Sequence, residues 1–193
     1  MHLHDAARPK AALMLGHGAA GGVGTPDLQA ATEVATAEGF RVVLVEQPYR
    51  VAGKRSSPAP PKLDEAWLAV VEHVRGGELA GLPLVTGGRS AGARVACRTA
   101  AACKAAGVLC LAFPLHPPGR PEKSRQPELD AVSVPTLVVQ GESDPFGMPV
   151  AGANREVVTV AGNHSLKADL DAVARAVRSW LVGELRAAWR ASG

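Results

Sequence analysis

A serine, an aspartate and a histidine, widely separated and in that order, carry the pattern in this chain best suited to nucleophilic acyl transfer. The serine is Ser90, within Gly88-Arg89-Ser90-Ala91-Gly92. A GxSxG turn between a buried strand and a helix strains the backbone at the serine and lifts its hydroxyl above the sheet; the two glycines answer the close approach of neighbouring chain. A chain with 21 glycines meets the bare motif by chance often enough that the flanks must decide. Here they are the apolar run LPLVT before it and the Ala-rich ARVACRTAAA after it. A helix starting at Ala91 aims free N–H groups at developing negative charge, which makes the Ala91 amide one candidate oxyanion donor.

The acid and the base follow two later apolar runs. TLVVQGESDPFG leads to Asp144, held by Pro145, and EVVTVAGNHSL leads to His164. Loops leaving the carboxyl ends of parallel strands face a common crevice, so all three groups are expected to meet there. Asp144 then orients the imidazole of His164, the base, with Glu142 as reserve acid. Read one at a time, Asp144 is a turn former ahead of proline and His164 an ordinary loop residue; their joint order is the argument.

A second glycine cluster, GHGAAGG, contains Gly16, Gly18 and Gly21 in GxGxxG spacing directly after the first apolar run, and Glu46 stands where a dinucleotide-binding domain places its ribose-binding acid. That reading requires a helix N-terminus at the glycines. Thr25-Pro26, an N-cap followed by proline at the first helical position, instead delays the helix by several residues. The alternative role is an oxyanion loop, with the second amide assigned to Ala19 and with Gly18 and Ala20 beside it. His17 is read as a residue that orders this loop rather than as the base. With Arg89 and His116 it is also a candidate to line a substrate pocket.

The elements needed to hold these groups are legible as alternating apolar runs and Ala-rich segments, the pattern of an α/β, doubly wound, mostly parallel sheet. Six strands are expected at 11–15, 41–45, 83–86, 108–112, 136–140 and 157–160, in order 2-1-3-4-5-6. Helices are expected at 26–38, 62–74, 91–106 and 168–188, and 114–134 reads as an exposed excursion rich in proline and charge. Residues 1–193 suffice for a single domain with one core, of which 1–9 are expected to be a loose N-terminus.

Composition narrows the classes. A net charge of +3 and 4% aromatic residues argue against nucleic-acid binding. No stretch approaches the roughly 18 consecutive apolar residues of a membrane span, and MHLHDAARPK lacks the apolar core of a signal peptide, so the expected compartment is the cytoplasm. Cys97, Cys103 and Cys110 lack metal-ligand spacing and read as buried small side chains; no metal or cofactor is expected.

Over residues 10–185 the chain resembles the α/β-hydrolase superfamily, through GHGAAGG, GGRSAGAR, GESDPFG and AGNHSL. It is most similar to small, lidless members related to dienelactone hydrolases, and FPLHPPGRPEK resembles a segment of small predicted hydrolases of this fold. Dienelactone hydrolases use cysteine where this chain has Ser90, so their substrate does not carry over, and the superfamily's first antiparallel strands are expected to be missing. The resemblance implies a serine esterase or thioesterase acting on small acyl esters in an open, shallow pocket. A catalytically silent binding or scaffold protein of the same fold is the alternative, and a dinucleotide-binding protein is third. His116, Arg120, Lys123 and Arg125 make the excursion basic, which would suit an acidic substrate. The small-molecule ester is the only partner expected; the sequence leaves the oligomeric state open.

Overall fold

Continuously apolar strands, buried on both faces, organise the chain. The computed structural model describes residues 1–54 and 56–191. Its strands are β1 His2–His4, β2 Ala11–Gly16, β3 Phe40–Val45, β4 Leu84–Arg89, β5 Gly107–Leu111, β6 Thr136–Gly141 and β7 Arg155–Val160. They form one seven-stranded sheet in the order β1-β3-β2-β4-β5-β6-β7. All neighbours are parallel except β1, which runs antiparallel to β3 with Leu3 opposite Val43.

The helices are α1 Pro26–Ala37, α2 Pro48–Val51, α3 Pro60–Arg75, α4 Ala91–Thr99, α5 Gln126–Asp130, α6 Leu170–Val182 and α7 Glu184–Ala191. Side chains alternate along β2: Ala12 and Met14 enter one core with Trp67 of α3 and Val95 of α4, whereas Leu13 and Leu15 enter the other with Leu28 of α1 and Trp180 of α6. Trp67 and Trp180 are 1% and 2% exposed, so each face has a large buried anchor. Truncating either to alanine would cost on the order of 3–5 kcal/mol.

The six expected strands keep their expected order, and the difference lies at the edge. Residues 2–4, read as part of a loose terminus, supply the additional antiparallel strand, and His2 Nε2 lies 3.3 Å from Glu46 Oε2. Glu46, the acid required by the dinucleotide reading, therefore faces the N-terminal strand. A three-residue strand with one apolar side chain carries no periodic signal, which is why sequence reasoning passed over it.

Two helices are shorter than expected. α4 stops at Thr99, whose hydroxyl donates back to the Val95 carbonyl at 2.7 Å, and Lys104 takes a left-handed φ of 47° as the chain turns back into β5. The expected helix 168–188 begins when Asp169 accepts from the Ala172 amide at 2.8 Å and is divided by Gly183 into α6 and α7. Within 114–134 the chain forms a 3₁₀ turn, Pro121–Lys123, followed by α5. Among the described residues no helix is long and apolar enough to cross a membrane.

The tightest packing joins β2 to the β4–α4 turn. A Cβ at either Gly88 or Gly92 would collide with the Gly16 carbonyl oxygen, whereas one at Gly22 would meet nothing within 4 Å. Gly92→Ala should therefore destabilise the protein by roughly 1–3 kcal/mol, and Gly22→Ala should leave its melting temperature near the wild-type value. Thermal denaturation of the two variants side by side checks this.

Candidate active site

Ser90 connects β4 to α4 with φ 54° and ψ −111°, a left-handed conformation costly for a residue with a side chain. Its amide donates to the Leu111 carbonyl at 2.9 Å, anchoring the turn to β5. The strain raises the hydroxyl at the carboxyl edge of the sheet, beside the loops that follow β6 and β7.

Those loops carry Asp144 and His164. The Ser90 hydroxyl donates to His164 Nε2 at 2.9 Å, and His164 Nδ1–H donates to Asp144 Oδ2 at 2.8 Å. The carboxylate fixes the tautomer: with the proton on Nδ1, the Nε2 lone pair is free to accept from serine. The Asp144 side chain is 1% exposed and that of His164 17%, so the carboxylate is enclosed while the imidazole keeps an accessible edge. Phe146 covers the imidazole, with ring centroids 4.2 Å apart. Glu142 is exposed, and Asp144 is the carboxylate that meets His164.

Buried Asp144 is also well supplied with donors. The Phe146 amide donates to its Oδ1 at 2.8 Å, and Gln140 Nε2 donates to its Oδ2 at 2.8 Å. The same amide group of Gln140 lies 3.0 Å from the Phe113 carbonyl and 2.9 Å from that of Gly147. Three acceptors around one NH₂ settle which way this fully buried amide faces. Gln140 escaped sequence reasoning, although a glutamine inside the apolar run TLVVQ was a signal, because a buried amide there needs partners.

The glycine loop after β2 lies against Ser90: a Cβ on Gly18 would sit 3.3 Å from Ser90 Cβ. Among the described residues, neither the Ala19 nor the Ala91 N–H donates a hydrogen bond. His17, by contrast, is 2% exposed and both ring nitrogens are engaged. Nε2 accepts from the Gln47 amide at 3.1 Å, and Nδ1 donates to the Gly18 carbonyl at 2.7 Å. The ring thus fastens the loop to the end of β3 and offers no nitrogen to a substrate. α1 begins only at Pro26, so no helix N-terminus stands at these glycines to receive a pyrophosphate.

Arg89 and His116, the other two candidate pocket residues, are also tied inward. Arg89 lies 2.9 Å from Asp27 Oδ2 through Nε and donates from Nη2 to the His164 carbonyl at 2.8 Å. His116 Nδ1 donates to the Pro117 carbonyl at 2.9 Å, and its Nε2 edge packs on Gly147 in the loop carrying Asp144. Arg125 of the basic excursion donates to the Pro114 carbonyl at 2.8 Å. A cavity of about 490 Å³, lined in part by Tyr49, Lys54, Ser57 and Lys62, adjoins the loop after β2 through Tyr49, whose hydroxyl donates to the Ala19 carbonyl at 3.4 Å. Among the described residues no three His, Cys, Asp or Glu side chains gather in a way that could hold a metal ion.

A mostly parallel sheet that brings serine, aspartate and histidine together from the loops after β4, β6 and β7 at one edge defines a class, the α/β-hydrolase fold. The chain belongs to the α/β-hydrolase domain family, whose profile matches residues 9–172. Solved structures agree on the architecture. Est1E from Butyrivibrio proteoclasticus, with ferulic acid bound, aligns with TM-score 0.80 and 18% identity over 96% of this chain and 94% of its own. A lidless α/β serine hydrolase from Xanthomonas campestris aligns at 0.72 and 23%, covering 91% and 84%. A dienelactone hydrolase from Anabaena variabilis aligns at 0.72 and 16%, covering 93% and 89%. At these identities the likeness concerns fold, which is dienelactone-hydrolase-like. No curated protein matches the sequence.

The three cysteines stand apart from this edge as buried free thiols. Contact with Cys97, whose Sγ lies 3.5 Å from its own, pushes the Cys110 thiol up, and burial adds to the effect. Burial likewise raises Cys103. Thiols held protonated and out of solvent are poor nucleophiles. Iodoacetamide should therefore leave the native protein unmodified and alkylate it only after denaturation, with the alkylation count read by intact-mass spectrometry.

Proposed function

We propose that this protein is a serine hydrolase of the carboxylesterase or thioesterase type, cleaving small acyl esters through Ser90, His164 and Asp144. The observation that carries the reading is the continuous chain from Ser90 hydroxyl to imidazole to carboxylate, with contacts of 2.9 and 2.8 Å, at a serine held in a strained turn. His164 takes the Ser90 proton as Oγ attacks the ester carbonyl. The Ala91 and Ala19 amides receive the resulting oxyanion. Collapse of the tetrahedral adduct expels the alcohol or thiol, which takes its proton from His164. Water then attacks the acyl-enzyme with His164 again as base, releasing the acid and restoring Ser90.

Asp144 accepts from the imidazole throughout and steadies the imidazolium. Its three short polar contacts, to His164, Gln140 and the Phe146 amide, suit it to that role. Because Est1E was solved with ferulic acid bound, a hydroxycinnamate ester belongs in the substrate panel beside p-nitrophenyl acetate and a short acyl thioester.

A fluorophosphonate probe tests the nucleophile directly. The wild type should be labelled once, at Ser90, and Ser90→Ala should not be labelled; an unlabelled wild type would sink the hydrolase reading in favour of a silent binding protein. Asp144→Asn and His164→Ala should lower ester turnover by roughly three to four orders of magnitude while leaving the circular dichroism spectrum unchanged. Full activity in Asp144→Asn would transfer the acid role to Glu142.

A further inference from the structure

We infer that Arg89 and Asp27 form a buried positioning pair for this site, in which one guanidinium holds the base loop, the oxyanion loop and the nucleophile turn in a single register. The inference rests on the reading of His164 as the base.

Asp27, in the first turn of α1, is fully buried, and the Arg89 side chain is 14% exposed. Arg89 Nε lies 2.9 Å from Asp27 Oδ2, yet the N–H is not aligned on the oxygen as a hydrogen bond. The contact is thus held by charge and proximity. Nη2 donates to the main-chain carbonyl of His164 at 2.8 Å. Nη1 lies 3.0 Å from the point a Gly18 Cβ would occupy. Because Arg89 also precedes Ser90 in the chain, four segments meet at one planar group: the nucleophile turn, α1, the His164 loop and the Gly18 loop.

The chemistry of the pair argues for positioning rather than for substrate binding. Asp27 balances the guanidinium charge, so the pair presents no net charge to an anionic substrate. The hydrogen bond to the His164 carbonyl instead fixes the backbone from which the imidazole projects, and the Nε2–Oγ distance depends on that backbone. Lysine is a poor substitute, since a single ammonium cannot engage a carboxylate and a separate carbonyl through a rigid fork. A buried carboxylate without its cation would be costly for stability, whereas a well-packed apolar pair can replace a buried ion pair at little loss. That difference separates a structural role from a positioning one.

The test compares Arg89→Met, Arg89→Lys and the double variant Arg89→Met/Asp27→Leu with wild type. Three readouts apply: melting temperature, steady-state hydrolysis of p-nitrophenyl acetate, and the low-field His164 Nδ1–H resonance in the proton NMR spectrum. The double variant should recover most of the melting temperature lost in Arg89→Met. Its kcat should nevertheless stay roughly ten- to a hundredfold below wild type with KM within about twofold, because only the geometry of attack is disturbed. The Nδ1–H resonance should broaden or vanish in both methionine variants while the fold persists, and Arg89→Lys should restore little of either signal.

Recovery of kcat together with melting temperature in the double variant would overturn the inference and leave the pair a structural element only. An unperturbed Nδ1–H resonance in a folded Arg89→Met protein would overturn it too. If the wild type hydrolysed no ester, the hydrolase reading would fall, and the resonance would still decide whether Arg89 holds His164 in place.

Discussion

The site depends on how closely the end of β2 approaches the turn between β4 and α4. The Gly16 carbonyl occupies the space that a side chain at Gly88 or Gly92 would need, so three backbones pack with nothing between them. This contact lets the serine turn stay tight enough to strain Ser90, and it seats the Gly18 loop directly over the nucleophile. Any side chain inserted there would part the end of β2 from the β4–α4 turn. Of the glycines that resemble a phosphate-binding loop, Gly16 and Gly18 border this packing, whereas a Cβ on Gly21 would meet only Thr25.

Around that contact, His17, His164 and Gln140 are each oriented by the partners they meet. His17 gives both ring nitrogens to backbone groups and orders its loop. His164 gives Nδ1 to Asp144 and keeps Nε2 for Ser90. Gln140 turns its NH₂ toward three acceptors, Asp144 among them. Two histidines at one sheet edge thus differ in role because of what their second nitrogen meets. The buried one is closed to substrate, and the half-buried one retains an edge.

Much of this was legible in the sequence because it is written in local patterns. Ser90, Asp144 and His164 each follow an apolar run by a few residues, and the strand order follows from right-handed crossovers between such runs. What escaped was either too short or too distant. β1 is three residues long, with Leu3 as its one apolar side chain, below any periodic signal. Asp27 reads as an ordinary acid in a first helical turn; its link to Arg89 spans the rest of α1, then β3, α2, α3 and β4. Arg89 and His116 read as pocket residues in the sequence, yet Arg89 donates to the His164 carbonyl and faces Asp27, and His116 donates to the carbonyl of the next residue, Pro117. Gly183 was passed over inside a strong helical pattern, although it is where the last helix divides.

The short antiparallel strand has a consequence for the protein's behaviour in company. β3 reads FRVVLV, a β-branched run that would be an adhesive margin if its outer hydrogen-bonding groups were bare. Residues His2–His4 pair along that margin, and their own outer side is only three residues long. At the far margin β7 carries Arg155 and Glu156, and Arg155 is held by Asp130 at 2.9 Å. Each border of the sheet is thereby unattractive to a passing strand, one by brevity and the other by charge. The first few residues act as a selvedge along the β3 margin.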